Sequence, residues 1–298
     1  MSGLQGIVPI LLTPFHADGA IDFDSLARHV DATLETGVHG VGVAIGSEVF
    51  KLDRAERRAL LAAVVARVAG RVPVVMNTSA PGTATAVGLA RDAADAGADR
   101  LMIWPPDFFP MDADAVTGHI AAIAAAAGLP IVLQDVPQAP VPPALALALA
   151  TAVPQVDTIK VETQPTVAQV ARMVAAAGGR LSVLGGAGGG TLIEEYRRGA
   201  RGTMPFASQA AEFMAVWTCL EAGDEDGAEA ILERQILPVS RLGFQSGDMF
   251  YHVHKAILHR RGLFQTALVR PPTCAPTAPA RSEIDRLLQR LDRDAPDR

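Results

Sequence analysis

The stretch Asp157-Thr158-Ile159-Lys160-Val161-Glu162-Thr163, followed by the alanine-rich run Thr166–Ala177 and the apolar run Leu181–Gly185, reads as strand, helix and strand. The first segment is short and β-branched, the signature of a buried strand. Its two-residue period places Thr158, Lys160 and Glu162 on one face, with about 7 Å between the α-carbons of lysine and glutamate. Only three of the 26 lysine and arginine residues are lysines: Lys51, Lys160 and Lys255. A chain that uses arginine for plain positive charge, yet keeps lysine in a buried strand, points to an amine that can lose its proton. Two readings are open from these residues. Lys160 is either a nucleophile for Schiff-base chemistry on a ketone or the cationic half of an ion pair with Glu162.

The same alternation runs along the chain on both sides of this unit. Strands are expected at Gly6–Leu12, Gly40–Ile45, Val72–Thr78, Arg100–Trp104, Pro130–Val136, Thr158–Glu162, Leu181–Gly185 and Gly202–Phe206. Helices are expected between them at Asp24–Thr36, Arg54–Ala69, Thr85–Ala96, Ala113–Ala127, Pro142–Ala152, Thr166–Ala177 and Thr191–Gly199. Eight strands, each followed by a helix, imply a closed α/β barrel, the (β/α)8 TIM barrel, rather than an open doubly wound sheet. The first strand lacks the GxGxxG turn of a dinucleotide-binding sheet. Residues 209–298 exceed what one closing helix needs and read as Gln209–Glu221, Glu225–Gly243, Asp248–Gly262 and Ser282–Asp292, with breakers at Val269–Pro276. The organisation expected is therefore a barrel core over 1–208, then the last barrel helix and a C-terminal helical appendix over 209–298, within one domain.

A hydrophobic content of 49% supports a large core in 298 residues, and barrels of this kind use about 250. A net charge of −6 and a pI near 5.6 argue against a nucleic-acid footprint. No apolar run reaches about 18 residues without a charge, proline or glycine, so no membrane span is expected. Met1-Ser2-Gly3-Leu4-Gln5 has no secretion-signal pattern, and a cytoplasmic location is expected. Cys219 and Cys274 match no metal or redox spacing, and His252-x-His254 has no cysteine or carboxylate companion. No metal or organic cofactor is expected.

In such barrels the chemistry sits at the carboxyl ends of the strands. Reading those ends gives Thr13, Gly46-Ser47-Glu48, Asn77-Thr78, Gln134-Asp135, Lys160 with Glu162, Gly185-Gly186 and Ser208. Lys160 is the only lysine among them; Lys51 is expected on an exposed loop and Lys255 on a helix outside the barrel mouth. Tyr196 and Tyr251 fall in predicted helices away from the strand ends, and Tyr251 and His254 are read as packing or interface residues. Gly185-Gly186-Ala187-Gly188-Gly189-Gly190 admits a phosphate-binding reading, but lacks the Lys-Ser/Thr ending of a P-loop. The other reading is that it lets backbone pass close to substrate and helix. Glu48 either braces the strand-2 loop or touches ligand, and Asp135 is a hydrogen-bonding support or a base.

Together these segments resemble the dihydrodipicolinate synthase/N-acetylneuraminate lyase (DapA-like) family. Thr13-Pro14-Phe15 resembles its opening TPF, and Ala44-Ile45-Gly46-Ser47-Glu48 stands at its G-[TS]-[TS]-G-E. Trp104-Pro105-Pro106 resembles the stretch before its PPYY, Gln134-Asp135-Val136-Pro137 its Y-N-x-P, and Ile159-Lys160-Val161-Glu162 its lysine strand. The order and spacing of these segments cover nearly the whole chain. The resemblance implies that Lys160 forms an imine with a 2-oxo acid, and that the enzyme is a homo-oligomer, a tetramer or a dimer.

Several departures point to a particular branch. Gln134 replaces the tyrosine that relays protons above the imine, and Ile45-Gly46 replaces the hydroxyl pair. Asp107-Phe108-Phe109 lacks the tyrosine lent to a neighbouring subunit, and Gln138-Ala139-Pro140 lacks the arginine that holds a second carboxylate in the synthases. The Q-D-x-P and K-x-E pair, with Phe244-Gln245-Ser246-Gly247, instead looks like the L-2-keto-3-deoxyarabonate dehydratase branch. That likeness implies a class I Schiff-base lyase, a dehydratase of a 2-keto-3-deoxy sugar acid. Lys160 would form the imine, Glu162 would take over acid–base work, and Gln134 would stand beside them. Gly46, Ser47, Thr78, Asp135, Gly185, Gly186 and Ser208 are the substrate-contact candidates. The alternatives are a pyruvate-dependent aldolase or synthase and, from another class, a non-catalytic barrel that binds a sugar acid.

Overall fold

The computed structural model describes residues 3–294; Met1 and Ser2, part of the N-terminal stretch read above, lie outside them. Eight parallel strands share one sheet: β1 (Gly6–Ile7), β2 (Val41–Val43), β3 (Val74–Asn77), β4 (Arg100–Ile103), β5 (Ile131–Asp135), β6 (Val156–Val161), β7 (Ser182–Gly185) and β8 (Gly202–Thr203). Their order is β1-β8-β7-β6-β5-β4-β3-β2. The remaining seam closes through Ile10, which bridges Gly42 on one side and Phe206 on the other. Leu11 N–H donates to Gly42 O at 2.8 Å and Gly42 N–H to Pro9 O at 2.9 Å. The result is a (β/α)8 barrel.

β1 and β8 are shorter than their expected spans of Gly6–Leu12 and Gly202–Phe206. Pro205 has no N–H to give the Val8 carbonyl, so the β1–β8 ladder breaks there and resumes as the isolated Ile10–Phe206 bridge; Pro9 has none to give β2, and that side pairs only at the Ile10–Gly42 bridge. Gly202 is needed where the two short strands meet. Its φ is +152°, and an added Cβ would lie 2.0 Å from Gly6 O.

Between the strands lie α1 (Phe23–Glu35), α2 (Arg54–Val68), α3 (Thr83–Asp95), α4 (Ala113–Ala127), α5 (Pro143–Ala152), α6 (Thr166–Ala177) and α7 (Leu192–Tyr196). Side-chain alternation divides the core in two. Val74, Met76, Leu101, Ile103, Ile131, Leu133, Ile159 and Val161 face outward into the layer beneath the helices. Val75, Met102, Val132, Leu184 and Met204 fill the barrel interior with Leu4, Val8 and Ile10. The floor is sealed where Leu4 N–H donates to Thr158 Oγ1 at 3.0 Å.

After the barrel come α8 (Ala210–Glu221), α9 (Glu225–Ile231), α10 (Leu237–Gly243), α11 (Met249–Arg260) and α12 (Ala278–Asp294). The single helix expected over Glu225–Gly243 is interrupted by a wide π turn at Leu232–Ile236. Pro238 cannot donate to Arg234 O, as a regular helix would require. That carbonyl instead accepts from Arg290 Nη2 at 3.1 Å.

α11 does more than extend the chain. Lys255, expected outside the barrel mouth, is fully buried on it and pairs with Glu48 from the loop after β2. Lys51, expected on an exposed loop, is half-buried with its side chain covered; it pairs with the same carboxylate at 2.9 Å and donates to Arg270 O at 2.7 Å. The backbone N–H of Arg270 adds a third donor at 3.1 Å. Glu48 holds a left-handed φ of 57°, costly for a residue with a Cβ, and this ring of donors keeps it there. Burial pulls the Lys255 amine down to about 8, although the Glu48 charge opposes the shift. Tyr251, also on α11, donates its hydroxyl to Ile45 O at 2.5 Å. The strand-2 loop is thus held from beneath by residues about 200 positions further along the chain.

Removing one partner of a buried ion pair leaves the other charge stranded, at a typical cost of about 3–5 kcal/mol. Lys255→Met is expected to lose stability in that range in urea unfolding at pH 7. A loss below about 1 kcal/mol would mean that Lys51 and the Arg270 N–H satisfy Glu48 without it.

Candidate active site

β5 and β6 run side by side with Gln134 opposite Lys160, and β7 places Leu184 opposite Lys160 on the other side. All three side chains point inward, on the same parity as the interior residues Val132 and Leu184. Glu162 follows two residues beyond Lys160. Its backbone N–H still donates to Asp135 O at 2.9 Å, so its side chain keeps the inward direction.

The Glu162 carboxylate is the meeting point of the site. Lys160 Nζ lies 3.0 Å from Oε1, and Ala187 N–H donates to the same oxygen at 3.0 Å. Gln134 Nε2 donates to Oε2 at 2.5 Å. Burial alone would raise the carboxyl pKa, but the Lys160 charge, the Gln134 amide and the Ala187 N–H outweigh it and hold the group below its usual range. Glu162 therefore rests ionised beside the lysine. A proton passed from Lys160 to Glu162 would leave a neutral amine next to a protonated acid, the pair that attack on a carbonyl and departure of its oxygen require.

The glycine run after β7 makes this approach possible. A Cβ on Gly186 would lie 2.4 Å from Glu162 Cγ, so only glycine lets the backbone bring the Ala187 N–H to the carboxylate. Of the two readings of this run, the close-passing backbone is the one the contacts describe.

Lys160, Glu162, Gln134 and Gly46 line one cavity of about 490 Å³ at the barrel mouth. The other candidates lie off its wall. Ser47 turns its hydroxyl to Leu11 O and accepts from Ala44 N–H at 3.1 Å, bracing its own loop. Thr78 shares the outward parity of Val74 and Met76 and lies in a crevice with Arg54 and Arg57. Asp135, paired with Val161, also faces outward; it accepts from Val141 N–H at 2.8 Å and from the Thr163 hydroxyl at 2.7 Å, tying two loops together. Gly185 abuts the buried Glu195, whose Oε2 would be 1.9 Å from an added Cβ. Ser208 shares a 2.6 Å hydrogen bond with His254 Nδ1 behind the wall. His254 is held neutral by burial, with a pKa near 3. His252 instead meets Thr273 at 2.9 Å, so the two histidines are occupied separately.

The strand-end reading missed Met204 and Phe206, which follow β8, and Phe244 and Phe250, which come from or beside α10 and α11. Alternation along Gly202–Phe206 could have found the first two. Nothing in the local sequence brings the last two to the barrel mouth. Tyr251 also comes closer than expected, since its hydroxyl reaches Ile45 O, although it does not line the cavity.

Residues 3–291 match the Dihydrodipicolinate synthetase family. The chain is 37% identical over 136 residues to an uncharacterized DapA-like lyase of Halobacterium salinarum, a match that spans 45% of each chain. It is 34% identical over 266 residues to a 4-hydroxy-tetrahydrodipicolinate synthase of Xanthomonas axonopodis pv. citri, covering 87% of this chain and 86% of that one. The crystal structure of dihydrodipicolinate synthase from Rhodopseudomonas palustris superposes with a TM-score of 0.88 at 32% identity, over 98% of this chain and 100% of that one. Fold, length and sequence agree from the first strand to the helices after the barrel, and the chain belongs to the dihydrodipicolinate synthetase family, as an enzyme of the lyase type.

Proposed function

We propose that this enzyme forms an imine between Lys160 and the C2 carbonyl of a 2-oxo acid and uses it to eliminate water from a 2-keto-3-deoxy acid, the class that includes the sugar acid of L-2-keto-3-deoxyarabonate dehydratase. The observation that carries this reading is the Glu162 carboxylate 3.0 Å from the Lys160 amine, with Gln134 where a proton-relaying tyrosine is usual in the family. The substrate carboxylate would rest on backbone N–H groups around Gly46. Glu162 takes the Lys160 proton, the neutral amine adds to C2, and the protonated acid returns its proton as the carbonyl oxygen leaves as water. The iminium acidifies C3–H, and Glu162 removes that proton to give an enamine. The enamine then pushes out the C4 hydroxyl, which leaves as water with the proton from Glu162. One carboxylate within reach of both atoms suffices for the sequence.

A second reading, carbon–carbon bond formation or cleavage through the same enamine, is favoured by the synthase names of the relatives. It needs a base at the C4 hydroxyl. A synthase whose second substrate carries a carboxylate also needs a cation to hold it. Among the described residues lining the cavity, Lys160 is the only lysine or arginine. That favours elimination. Release of pyruvate and an aldehyde from the best substrate would replace this reading while leaving the imine in place.

Borohydride in the presence of pyruvate is expected to trap Lys160 alone, and Lys160→Arg should abolish trapping. A label on Lys51 or Lys255 would end the proposal, as would retained turnover in the arginine variant. Glu162→Gln is expected to keep imine formation but lose about two to four decades of turnover, the usual worth of a general acid–base. Undiminished turnover would move the proton work elsewhere. Among the described residues no group of three or more histidine, cysteine or acidic side chains is placed to hold a metal. Activity should therefore survive dialysis against a strong chelator; a loss restored by a divalent ion would point to a metal-dependent route.

A further inference from the structure

The walls of the cavity narrow the substrate class further than the reacting groups do. Its ionisable and hydrogen-bonding side chains lie in two places. Lys160, Glu162 and Gln134 occupy the β5–β6 side, and Gln138 and Gln164 are exposed at the rim. The facing side is built from Ile10, Ile45, Met204, Phe206, Phe250 and Phe244. No serine, threonine, tyrosine, asparagine, aspartate or arginine is among the described residues that line it.

This aromatic wall is constructed rather than incidental. Phe206 packs onto Gly46, where an added Cβ would lie 2.8 Å from its ring, so position 46 cannot carry a side-chain hydroxyl. The Phe206 ring is 5.4 Å from that of Phe250 at a 31° tilt. Behind it lies the neutral His254 ring, 4.2 Å away. At the rim Phe244 stands 59% exposed, with its ring 3.1 Å from where a Cβ of Gly188 would be. A phenylalanine left in water beside a cavity gains burial when an apolar group enters the cavity against it.

We propose that the substrate carries an aryl or alkyl group beyond C4, so that the enzyme acts on 4-hydroxy-2-oxo acids with an apolar tail in preference to polyhydroxylated chains. The proposal rests on the imine reading above. The 2-oxo acid end meets Lys160, Glu162 and Gln134, and the tail lies across Phe206, Phe250 and Phe244. A polyhydroxylated tail would give up water for a wall that offers its hydroxyls no side-chain donor or acceptor. A ring in the same place covers apolar surface and packs face or edge against phenylalanine. The cavity, at about 490 Å³, is far larger than a three-carbon acid needs and falls within the range of small-molecule sites. Elimination from an aryl substrate leaves a C3=C4 double bond conjugated to the ring, and the hydroxyl departs as water.

The test compares borohydride trapping of Lys160 by 2-oxo-4-phenylbutanoate and by a 2-keto-3-deoxypentonate, with pyruvate as reference. The aryl acid is expected to reach half-maximal trapping at a concentration about tenfold or more below that of the hydroxylated acid, consistent with burial of one ring's apolar surface. Phe244→Ala changes an exposed side chain, so the fold is not at stake, and it should bring the ratio of the two concentrations towards one. Equal capture of the two acids, preference for the hydroxylated one, or a ratio untouched by Phe244→Ala would overturn the proposal while leaving the imine reading intact. Failure of pyruvate and both longer acids to label Lys160 would remove the imine reading, and this inference with it.

Discussion

Along β6 and the residue that follows it, the side chains of Thr158, Lys160 and Glu162 all enter the barrel because a strand turns alternate residues to the same face, and the geometry of the candidate site depends on that parity. Thr158 closes the floor through Leu4, Lys160 stands at mid-height, and Glu162 reaches the mouth. The neighbouring strands keep the same register, so Gln134 arrives level with Lys160. A shift of one residue would send the lysine and glutamate into the aliphatic layer under the helices. There Ile159 and Val161 now sit, and an amine would have no partner.

The Lys160–Glu162 contact shows why an ion pair and an imine site need not be alternatives. At rest the Glu162 carboxylate is held ionised 3.0 Å from the Lys160 amine, with Gln134 and the Ala187 N–H completing its hydrogen bonds. The same contact provides the shortest path for the proton that must leave the amine before it can attack a carbonyl. A tyrosine in place of Gln134 would offer a hydroxyl relay, whereas an amide only donates to and orients the carboxylate. Under the proposed mechanism the proton work therefore falls on one residue.

The helices after the barrel help to build the site as well as cover the fold. Lys255 and Tyr251 on α11 hold the strand-2 loop, through Glu48 and the Ile45 carbonyl respectively. Phe250 on the same helix joins the cavity wall. One helix therefore sets both the backbone expected to meet the substrate carboxylate and part of the surface expected to meet its tail. Deep burial of Glu48 and Lys255 gives that link rigidity, because neither charge can be solvated if the other moves away.

Alternation and helix periodicity are local properties, and they were enough to place the eight strands, the helices between them and the shared face of Lys160 and Glu162. Gln134 was set beside them by the family resemblance, and the β5–β6 register brings it level with Lys160. The sequence by itself could not separate inward from outward at the strand ends. Thr78, Asp135 and Gly185 proved to face the helices, and the hydroxyls of Ser47 and Ser208 are committed to Leu11 O and His254. Nor could it show that Lys255 is buried against Glu48, or that Phe244 and Phe250 turn back over the barrel mouth. Those contacts join residues far apart in the chain, Lys255 with Glu48 and Phe244 and Phe250 with Gly188 and Phe206. They leave no period in the chain, because they depend on where the closed barrel and the helices after it meet, and only the tertiary structure decides that.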